Sequence, residues 1–427
     1  KTLRSAMASS HVPAPSPSPS SASPPPASNV ASGLVDLRPS GYDLVIVGCG
    51  LSGCVIAERA SAVLGLTSLI IDKRSHIGGN CFDYIDEASG LRISQYGVHL
   101  FHTKSERVWE YVNRFEEWMP YCHRVKAKVD LQRGNGYQLT SLPPNRETVN
   151  TLFDANVTSE EDMEAWLASR RVGNVEDAKN GEESALSRAG PELYEAIFKY
   201  YTYKQWDRLP DQMDASVLAR IPVRLDEDNR YFTDEHQALP KHGYTRIFEN
   251  LLHGHKDIDV RLDVDFFNEK DKLPKHTTLV FTGPIDAYFA SQGMPKLEYR
   301  SLTWDVEYHD TEPCETYQEA LQVNYPGMEV PYTRIVEYKH KPNQPVKAKE
   351  GKGTLIFKEF SVDDGDPYYP VPNPANRDLY EKYRELAEKE QGVLFVGRLA
   401  SYKYFNMDQA ILNALELFDA WKAEGKL

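Results

Sequence analysis

The sequence predicts an α/β protein, in which a Rossmann-like dinucleotide-binding domain is combined with a helical insertion domain and a mixed or antiparallel sheet domain. Residues 42–72 read as a strand, a glycine-rich turn, a helix and a second strand that ends in an acid. Residues from about 150 to 220 have helical composition and spacing. Residues 260–266 and 332–338 alternate apolar with polar side chains, as half-buried strands do.

Length and charge limit the classes of protein to which the chain can belong. The 427 residues suffice for two or three domains, at ~150 residues each. The formal net charge of −14 argues against sequence-independent binding of nucleic acid. No run of residues approaches the ~18 consecutive apolar side chains that span a bilayer. We therefore expect neither a nucleic-acid nor a membrane partner.

The cysteines indicate a reducing, cytoplasmic compartment. They are odd in number and include no CxxC pair, which argues against a disulfide framework or a zinc site. We expect free, buried thiols and no bound metal. The cysteines are Cys49, Cys54, Cys81, Cys122 and Cys314.

Residues 1–40 differ from the rest of the chain because they are rich in Ser, Pro and Ala, and residues 1–35 contain no acid. Such a segment cannot bury a core, so we predict that residues 1–40 are disordered. A plain linker or tail is favoured, but the same composition is compatible with an organelle transit peptide. The chain starts at Lys1 rather than Met, which leaves a longer chain open.

The glycine-rich turn carries the strongest functional pattern. Gly48 permits a tight turn, Gly50 lets the backbone approach a pyrophosphate, and Gly53 allows the helix to pack closely on the strand. Asp72 follows the second strand, where a carboxylate can accept hydrogen bonds from ribose hydroxyls. The order of strand, glycines, helix, strand and acid predicts a dinucleotide site, with the pyrophosphate at the helix N-terminus.

Two histidines follow in a loop, at positions 99 and 102. Their spacing could suit a metal, but no Glu or Cys at ligand spacing completes such a site. We favour a loop beside the reactive ring of the dinucleotide, with Thr103 starting a helix that runs to Val112. The alternative is that both histidines are satisfied within a packed turn.

The central helices carry an aromatic stripe, and the C-terminal region repeats the strand–turn–helix pattern. Residues 191–206 read as a helix with Tyr194, Ile197 and Tyr201 on one face. Residues 207–216 read as a polar, mobile loop, and Arg220 follows it. Residues 392–398 read as a buried strand, and Asn406 is a suitable N-cap for a helix over residues 408–422.

From residue 42 to the C-terminus the chain resembles the UDP-galactopyranose mutase family, in its shorter, bacterial-type branch. The matching stretches are His76-Ile-Gly-Gly-Asn80, Tyr96-Gly-Val-His-Leu-Phe-His102, Tyr201-Thr-Tyr-Lys-Gln-Trp206, Arg220-Ile-Pro-Val-Arg224, Tyr231-Phe-Thr-Asp234, Thr282-Gly-Pro-Ile-Asp286, Leu297-Glu-Tyr-Arg-Ser-Leu302, Val330-Pro-Tyr-Thr-Arg-Ile335, Pro367-Tyr-Tyr-Pro370 and Gly397-Arg-Leu-Ala-Ser-Tyr-Lys-Tyr404.

The resemblance implies an isomerase that interconverts UDP-galactopyranose and UDP-galactofuranose without net redox change. It implies FAD, active when reduced, whose N5 forms a covalent adduct with the anomeric carbon of the sugar. NAD(P)H is the expected external reductant, and a homo-oligomer is left open. The expected FAD-binding domain comprises residues 41–120, 240–290 and 390–427, the helical domain 145–225, and the sheet domain 121–144, 226–239 and 291–389.

The resemblance also assigns candidate site residues. Catalytic roles fall to His102, Arg220 and Arg334. The FAD residues would be Gly48, Gly50, Gly53, Asp72, Lys73, Gly79, Asn80, His99, His102, Phe266, Arg398, Phe405, Asn406, Met407, Asp408, Gln409 and Ala410. The substrate residues would be His123, Ile197, Tyr201, Thr202, Trp206, Arg220, Tyr231, Phe232, Asn324, Arg334, Tyr369 and Tyr404.

Two positions depart from the family pattern, and the sequence leaves two alternative functions. Ile197 replaces a common aromatic residue, which we expect to loosen the stack on uracil, and Asn406 replaces a common Asp. A flavin oxidase or dehydrogenase would share the nucleotide-binding half but would consume reductant or oxygen stoichiometrically. A catalytically silent flavin- or UDP-sugar-binding protein is disfavoured by the intact arginines, tyrosines and histidines.

Overall fold

The described part of the chain folds into four β-sheets and the helices that cover them. A computed structural model describes residues 30–427. In this part the strands are β1 Val30–Ser32, β2 Tyr42–Val47, β3 Ser68–Ile71, β4 Asp83–Ile85, β5 Arg92–Ser94, β6 Phe101–Thr103, β7 Trp118–Pro120, β8 Val125–Val129, β9 Gln138–Leu142, β10 His236–Pro240, β11 Ile258–Leu262, β12 His276–Phe281, β13 Tyr299–His309, β14 Gln322–Asn324, β15 Arg334–Glu337, β16 Thr354–Val362, β17 Tyr369–Pro370 and β18 Val393–Phe395.

The α-helices of the same part complete the element order. They are α1 Leu51–Arg59, α2 Glu106–Val112, α3 Arg146–Phe153, α4 Glu160–Ala168, α5 Gly181–Leu193, α6 Lys199–Trp206, α7 Ala215–Ala219, α8 Tyr244–Leu252, α9 Phe266–Glu269, α10 Ile285–Tyr288, α11 Val346–Glu350, α12 Pro374–Ala387 and α13 Met407–Ala423. Two π-helical turns, Ala60–Leu64 and Tyr194–Phe198, follow α1 and precede α6.

The glycine-rich turn belongs to a parallel sheet with the strand order β1-β11-β3-β2-β12-β18. Alternate residues of β2 serve different cores. Leu44 and Ile46 pack in the same cluster as buried residues of α1, α8 and α13, whereas Val45 packs in a cluster on the other face. Burial on both faces is what the continuous apolar runs of β2 and β3 predict for a parallel sheet. The predicted Rossmann-like unit is confirmed.

The prediction that residues 1–40 are disordered is wrong for residues 30–40, while residues 1–29 lie outside the described part. Val30–Ser32 forms β1 and pairs in parallel with β11 at the sheet edge. The buried Arg261 side chain donates from Nε to the carbonyl oxygen of Val35 at 2.7 Å, and Arg38 Nε lies 2.8 Å from Asp259 Oδ2. These contacts come from β11, some 220 residues further along the chain, so local composition could not predict them.

A second large sheet has the order β17-β13-β16-β15-β14-β8-β9. Neighbouring strands are antiparallel except for the parallel pair β14 and β8. The predicted mixed sheet is therefore confirmed. A small antiparallel sheet β6-β10-β7 and the pair β4-β5 complete the β structure of the described residues.

The helical insertion is formed by α3 to α7 and packs on the β8–β9 end of this sheet. Its buried cluster includes Trp166, Leu193 and Phe198 together with Val125 and Ala127 of β8. Gly190 has a non-helical φ of 75° at the break before Pro191, which suits proline at the first position of a new helical segment. The predicted helix over residues 191–206 thus exists, with a π-helical turn inside it.

Three local predictions need correction. Thr103 does not start a helix; it lies in β6, and Ser105 caps α2 by accepting a hydrogen bond from Val108 N at 3.3 Å. The strand predicted over residues 260–266 ends at Leu262, because Asp263 has a φ of 56°. Residues 207–216 contain the 3₁₀ turn Pro210–Gln212 and the start of α7. Mobility there stays a prediction.

The prediction of buried thiols is right for three of the five cysteines. Cys49, Cys54 and Cys81 are buried as predicted, but Cys122 and Cys314 are exposed. The three-part division of residues 41–427 stays a prediction. Among residues 30–427, no helix is long and apolar enough to cross a membrane.

The buried amine of Lys341 makes the stability of this fold depend on pH. Lys341 is 0% exposed and its Nζ lies 3.4 Å from Ser94 Oγ. Burial lowers the pKa of Lys341 from 10.5 to about 8, although Asp83 opposes the shift. The unfolded chain therefore binds more protons than the folded chain between these two values, and this group adds stability as the pH rises through them.

We predict that Lys341→Met is more stable than the wild type at pH 7, and that its advantage shrinks as the pH rises from 8 to 10.5, the interval between the two pKa values. Urea unfolding of both proteins at several pH values measures this difference. Lys347→Met, which changes an exposed lysine of α11, is the control and should show no such trend. A constant difference between wild type and Lys341→Met would contradict the prediction.

Candidate active site

A cavity of about 1020 Å³ lies where the parallel sheet, the helical insertion and the mixed sheet meet. Gly48, Asp72 and Thr282 line it, and each comes directly after a strand of the parallel sheet. Open α/β sheets bind their ligands at this carboxyl edge. At its other end the cavity is lined by Tyr201 and Arg334. We name the two ends after the predicted roles of their residues: the dinucleotide end lies at Gly48 and Asp72, and the substrate end at Tyr201 and Arg334.

The glycine-rich turn is as tight and as closely packed as its spacing predicts. Gly48 has a φ of 108°, and a Cβ there would lie 2.1 Å from Thr282 Oγ1. A Cβ on Gly53 would lie 2.0 Å from the carbonyl oxygen of Gly48, so only glycine allows α1 to pack on β2 this closely. A Cβ on Gly79 would lie 2.9 Å from Gly50 Cα. Two bare backbones thus meet at the start of α1, and this cradle fits a pyrophosphate.

Asp72 lines the cavity, and the backbone fixes its carboxylate. Oδ2 accepts from Cys49 N at 2.8 Å, and Oδ1 accepts from Arg74 N at 2.9 Å. Both oxygens retain further lone pairs for a ribose. The acid therefore holds the glycine turn in shape as well as facing the cavity.

Arg74, Tyr96 and Asp366 also line this end of the cavity, and the sequence did not single them out. Arg74 lies over the Tyr96 ring at 4.2 Å from its centroid and donates to Asn80 Oδ1 at 2.9 Å. Asp366 Oδ1 accepts from the predicted Lys73 Nζ at 2.6 Å, and its Oδ2 accepts from Arg74 at 3.2 Å. The basic pair after Asp72 was the available signal, whereas Asp366 comes from a distant loop.

His99 and His102 both line the cavity but have different partners. His99 Nδ1 lies 2.9 Å from the carbonyl oxygen of Gly97, and burial lowers the pKa of His99 to about 4. His102 Nδ1 lies 3.0 Å from Asp234 Oδ2, and its ring stacks on Phe232 with centroids 3.6 Å apart. His99 is thus neutral near pH 7, and a carboxylate orients His102.

His123 is buried, and its pKa falls to about 3, first through burial and then through the positive charge of Arg334. It is therefore a neutral hydrogen-bonding group in the cavity wall. Among the described residues, neither His99 nor His102 belongs to a group of three with metal-ligand spacing. The one such group in this part of the chain, Glu106, Glu235 and His236, does not line the cavity.

The turn before α13 contributes to the wall of the cavity. Phe405, Asn406, Met407 and Ala410 line the cavity, together with Phe266 and Arg398. Asn406 is the N-cap of α13, and its backbone N donates to Gln409 Oε1 at 2.9 Å. Asp408 and Gln409 themselves do not line the cavity, and burial raises the pKa of Asp408.

Arg334 and Arg220 line the cavity from different elements, β15 and the end of α7. Arg334 Nη2 lies 2.8 Å from Oε1 and 3.0 Å from Oε2 of the buried Glu359. Burial alone would lower the pKa of Arg334, but the Glu359 carboxylate holds it well above its ordinary value. Arg220 lies over the Tyr404 ring at 4.0 Å from its centroid, and its Nη2 lies 3.2 Å from Asn406 Oδ1.

Aromatic rings complete the substrate end. Trp206 lies 6.4 Å from Tyr369 and 6.1 Å from Tyr404, measured between ring centroids. Tyr231 meets Phe232 edge to face at 5.1 Å. All of these rings line the cavity with Tyr201, so the structure brings the predicted aromatic residues together.

Three predicted substrate residues do not line the cavity. Ile197 packs in the core of the helical insertion, and Thr202 is 6% exposed. Asn324 is buried, and its Oδ1 accepts from Gln322 Nε2 at 2.9 Å. Gln322 lines the cavity in its place and accepts from Arg334 Nη1 at 3.3 Å. The sequence prediction missed Gln322.

Comparison with known proteins decides the family. Residues 196–404 match the description of UDP-galactopyranose mutase, and residues 46–115 match that of an NAD(P)-binding Rossmann-like domain. A probable UDP-galactopyranose mutase of Klebsiella pneumoniae is 40% identical over 380 residues, which cover 88% of this chain and 94% of that protein. The chain belongs to the UDP-galactopyranose mutase family. It is thus an isomerase of a flavin-dependent family, as predicted.

The other similarities show the fold and include a relative that is named for a different sugar nucleotide. A dTDP-fucopyranose mutase of Escherichia coli is 36% identical, with 87% of this chain and 96% of that protein covered. A reduced UDP-galactopyranose mutase has a TM-score of 0.69 at 15% identity, over 90% of this chain and 94% of that one. A putative protoporphyrinogen oxidase from Exiguobacterium has a TM-score of 0.63 at 14% identity, over 92% of this chain and 100% of that one. The two structural matches show the fold alone.

We predict that Glu359→Gln lowers the free energy of unfolding by about 3 kcal/mol, because it leaves the Arg334 guanidinium without a carboxylate in a buried site. Urea unfolding measures the change. The matched control is Glu312→Gln, which removes an exposed pair with Lys352 and should cost under about 1 kcal/mol. Equal, small losses in both variants would contradict the prediction.

Proposed function

We propose that this chain interconverts UDP-galactopyranose and UDP-galactofuranose without net oxidation and that reduced FAD is its cofactor. The observation that carries the proposal is the single cavity, which joins a dinucleotide cradle to two arginines and a set of aromatic rings. We infer that this cavity of about 1020 Å³ holds a dinucleotide and a nucleotide sugar together. The activity named for the Klebsiella relative supports the same choice of substrate.

The cofactor assignment rests on the fit of the cradle. Gly48, Gly50 and Gly79 would hold the pyrophosphate, and Asp72 would hold the ribose. His99, His102, Arg398 and the turn from Phe405 would surround the flavin ring. When bound, reduced FAD supplies the N5 nucleophile for a covalent route through the anomeric carbon. NAD(P)H as the external reductant is part of the same proposal.

The two arginines would serve the diphosphate of the substrate. A departing UDP gathers negative charge, and a guanidinium offers permanently charged, fork-shaped donors. Arg334 is held rigidly by Glu359 and Gln322, whereas Arg220 follows the short helix α7 and rests on Tyr404. We propose that Arg334 is the fixed half of a clamp and that Arg220 is the half that moves with residues 207–219. Closure would exclude water during the reaction.

Two of the histidines, His99 and His123, would contact the ligands as neutral hydrogen-bonding groups. The low pKa values of His99 and His123 keep both rings neutral at physiological pH. His102, oriented by Asp234, is the candidate to shape the flavin site. The other predicted substrate contacts, a homo-oligomeric state and a cytoplasmic location stay predictions.

We predict that Arg334→Ala and Arg220→Ala each lower kcat/KM by roughly 100-fold or more, on the order of 3 kcal/mol of transition-state stabilisation. Steady-state kinetics with UDP-galactofuranose and dithionite measure the loss. Arg230→Ala is the matched control, because Arg230 is exposed and pairs with Asp228 outside the cavity lining. Near-normal turnover in either variant would remove that arginine from the clamp.

One assay tests the function itself and the second candidate sugar. Purified protein is incubated with UDP-galactofuranose or with the furanose form of dTDP-fucose, with and without dithionite, and the products are separated by chromatography. We expect UDP-galactopyranose under reducing conditions only. Conversion of the fucose compound alone would assign the chain to the activity of the Escherichia coli relative. Stoichiometric consumption of NAD(P)H or oxygen would instead indicate an oxidase or dehydrogenase.

A further inference from the structure

Lys204 lies in the stretch Tyr201-Thr-Tyr-Lys-Gln-Trp206, one of those that carry the resemblance to the family. Neither the sequence nor the cavity gives it a role. It is on α6, between the cavity-lining Tyr201 and Trp206, but does not line the cavity itself. Its Nζ contacts backbone carbonyl oxygens instead of an acid. These belong to Tyr325, to Val330 at 3.3 Å and to Tyr332 at 2.9 Å.

The contacts match the chemistry of an ammonium group. An ammonium has three N–H donors, and three carbonyl oxygens converge on this one. Hydrogen bonds from a charged donor are stronger than those between neutral groups. Burial lowers the pKa of Lys204 to about 8, and Glu329 opposes the shift. The amine is therefore mostly charged near pH 7. The carbonyl dipoles of the loop offset the cost of burying this charge.

The loop that supplies these carbonyls connects the two strands at the substrate end. It leaves β14 after Asn324 and enters β15 at Arg334. Helix α6, on the other side of the contact, presents Tyr201 and Trp206 to the cavity. The Lys204 contacts thus join the wall that bears aromatic rings to the strand that bears Arg334.

We propose that Lys204 is a positioning residue, whose ammonium holds the carbonyls of residues 325–332 and so sets the spacing between the α6 wall and Arg334. A nucleotide diphosphate that spans both walls then binds in one geometry. The identity of that ligand as UDP rests on the proposed function. The spacing itself does not, because it is a property of the protein alone.

The test removes the ammonium and then returns it. Lys204→Ala should raise the Kd for UDP by roughly tenfold, because the hydrogen bonds between the ammonium and the loop carbonyls are lost. Calorimetry measures this change. KM for UDP-galactofuranose should rise in parallel, with kcat within about threefold of the wild type. Hydrogen exchange of the amides in residues 325–333 should speed up, and this readout needs no ligand.

The variant also leaves space for a small amine. Propylammonium has the same atoms as the deleted part of the lysine side chain, so it should restore UDP binding and amide protection to Lys204→Ala. The neutral 1-propanol should not. Lys204→Met fills the space without a charge and should be weakened but not restored. Lys199→Ala, which removes the half-buried partner of the exposed Glu195 from the same helix, is the control and should behave as the wild type.

Several outcomes would overturn the proposal. These are wild-type exchange in residues 325–333 of either Lys204 variant, wild-type UDP affinity in either, or equal restoration by propylammonium and 1-propanol, which would indicate packing alone. If Lys204→Ala does not fold, the exchange and affinity of Lys204→Met decide. A wild-type enzyme that binds UDP but converts no UDP-sugar would remove the proposed function and leave the exchange test of Lys204 intact.

Discussion

The pair of Arg334 and Glu359 is the interaction on which the substrate end depends. A chain with a formal net charge of −14 must concentrate positive charge locally if it is to hold a diphosphate. A buried guanidinium alone would be costly, and the Glu359 carboxylate offsets that cost while leaving a charged donor in the cavity wall. Trp304 donates to Glu359 Oε2 at 3.2 Å and Gln322 accepts from Arg334, so the pair is held on two sides. Its rigidity comes from the strands β15 and β16 that carry it.

The other walls of the cavity are linked to the mixed sheet that carries Arg334 and Glu359. The helical insertion brings Trp206 and Arg220, and it is tied to the mixed sheet by Lys204 and by Ser361 Oγ, which donates to the carbonyl oxygen of Gln205 at 2.6 Å. The dinucleotide end is tied to the same sheet through Asp366, which meets Lys73 and Arg74. The links of Lys204 and Asp366 join charged groups to partners from another part of the chain. Such links suit walls that face each other across a cavity and do not pack into one core.

The parts of the fold that sequence could predict are those set by neighbours along the chain. The glycines at 48, 50 and 53 and Asp72 act within a single β-α-β unit, and their roles follow from that unit. The predicted ends of two elements were wrong for local reasons. Ser105, not Thr103, caps α2, and the left-handed backbone of Asp263 ends β11 early. Partners such as Asp366 or Glu359 required the tertiary fold, since each meets a residue far away in the sequence.

Residues 30–38 show most clearly why composition misleads. Their Ser- and Pro-rich context predicts disorder, yet β11 would be an open edge of a buried parallel sheet without β1. Arg261 is 4% exposed and needs carbonyl acceptors, two of which are those of Val35 and Asp36. Residues 264–266, which follow β11 after Asp263, line the cavity. An extension that looks like a tail thus helps to hold the strand from which one wall of the cavity begins.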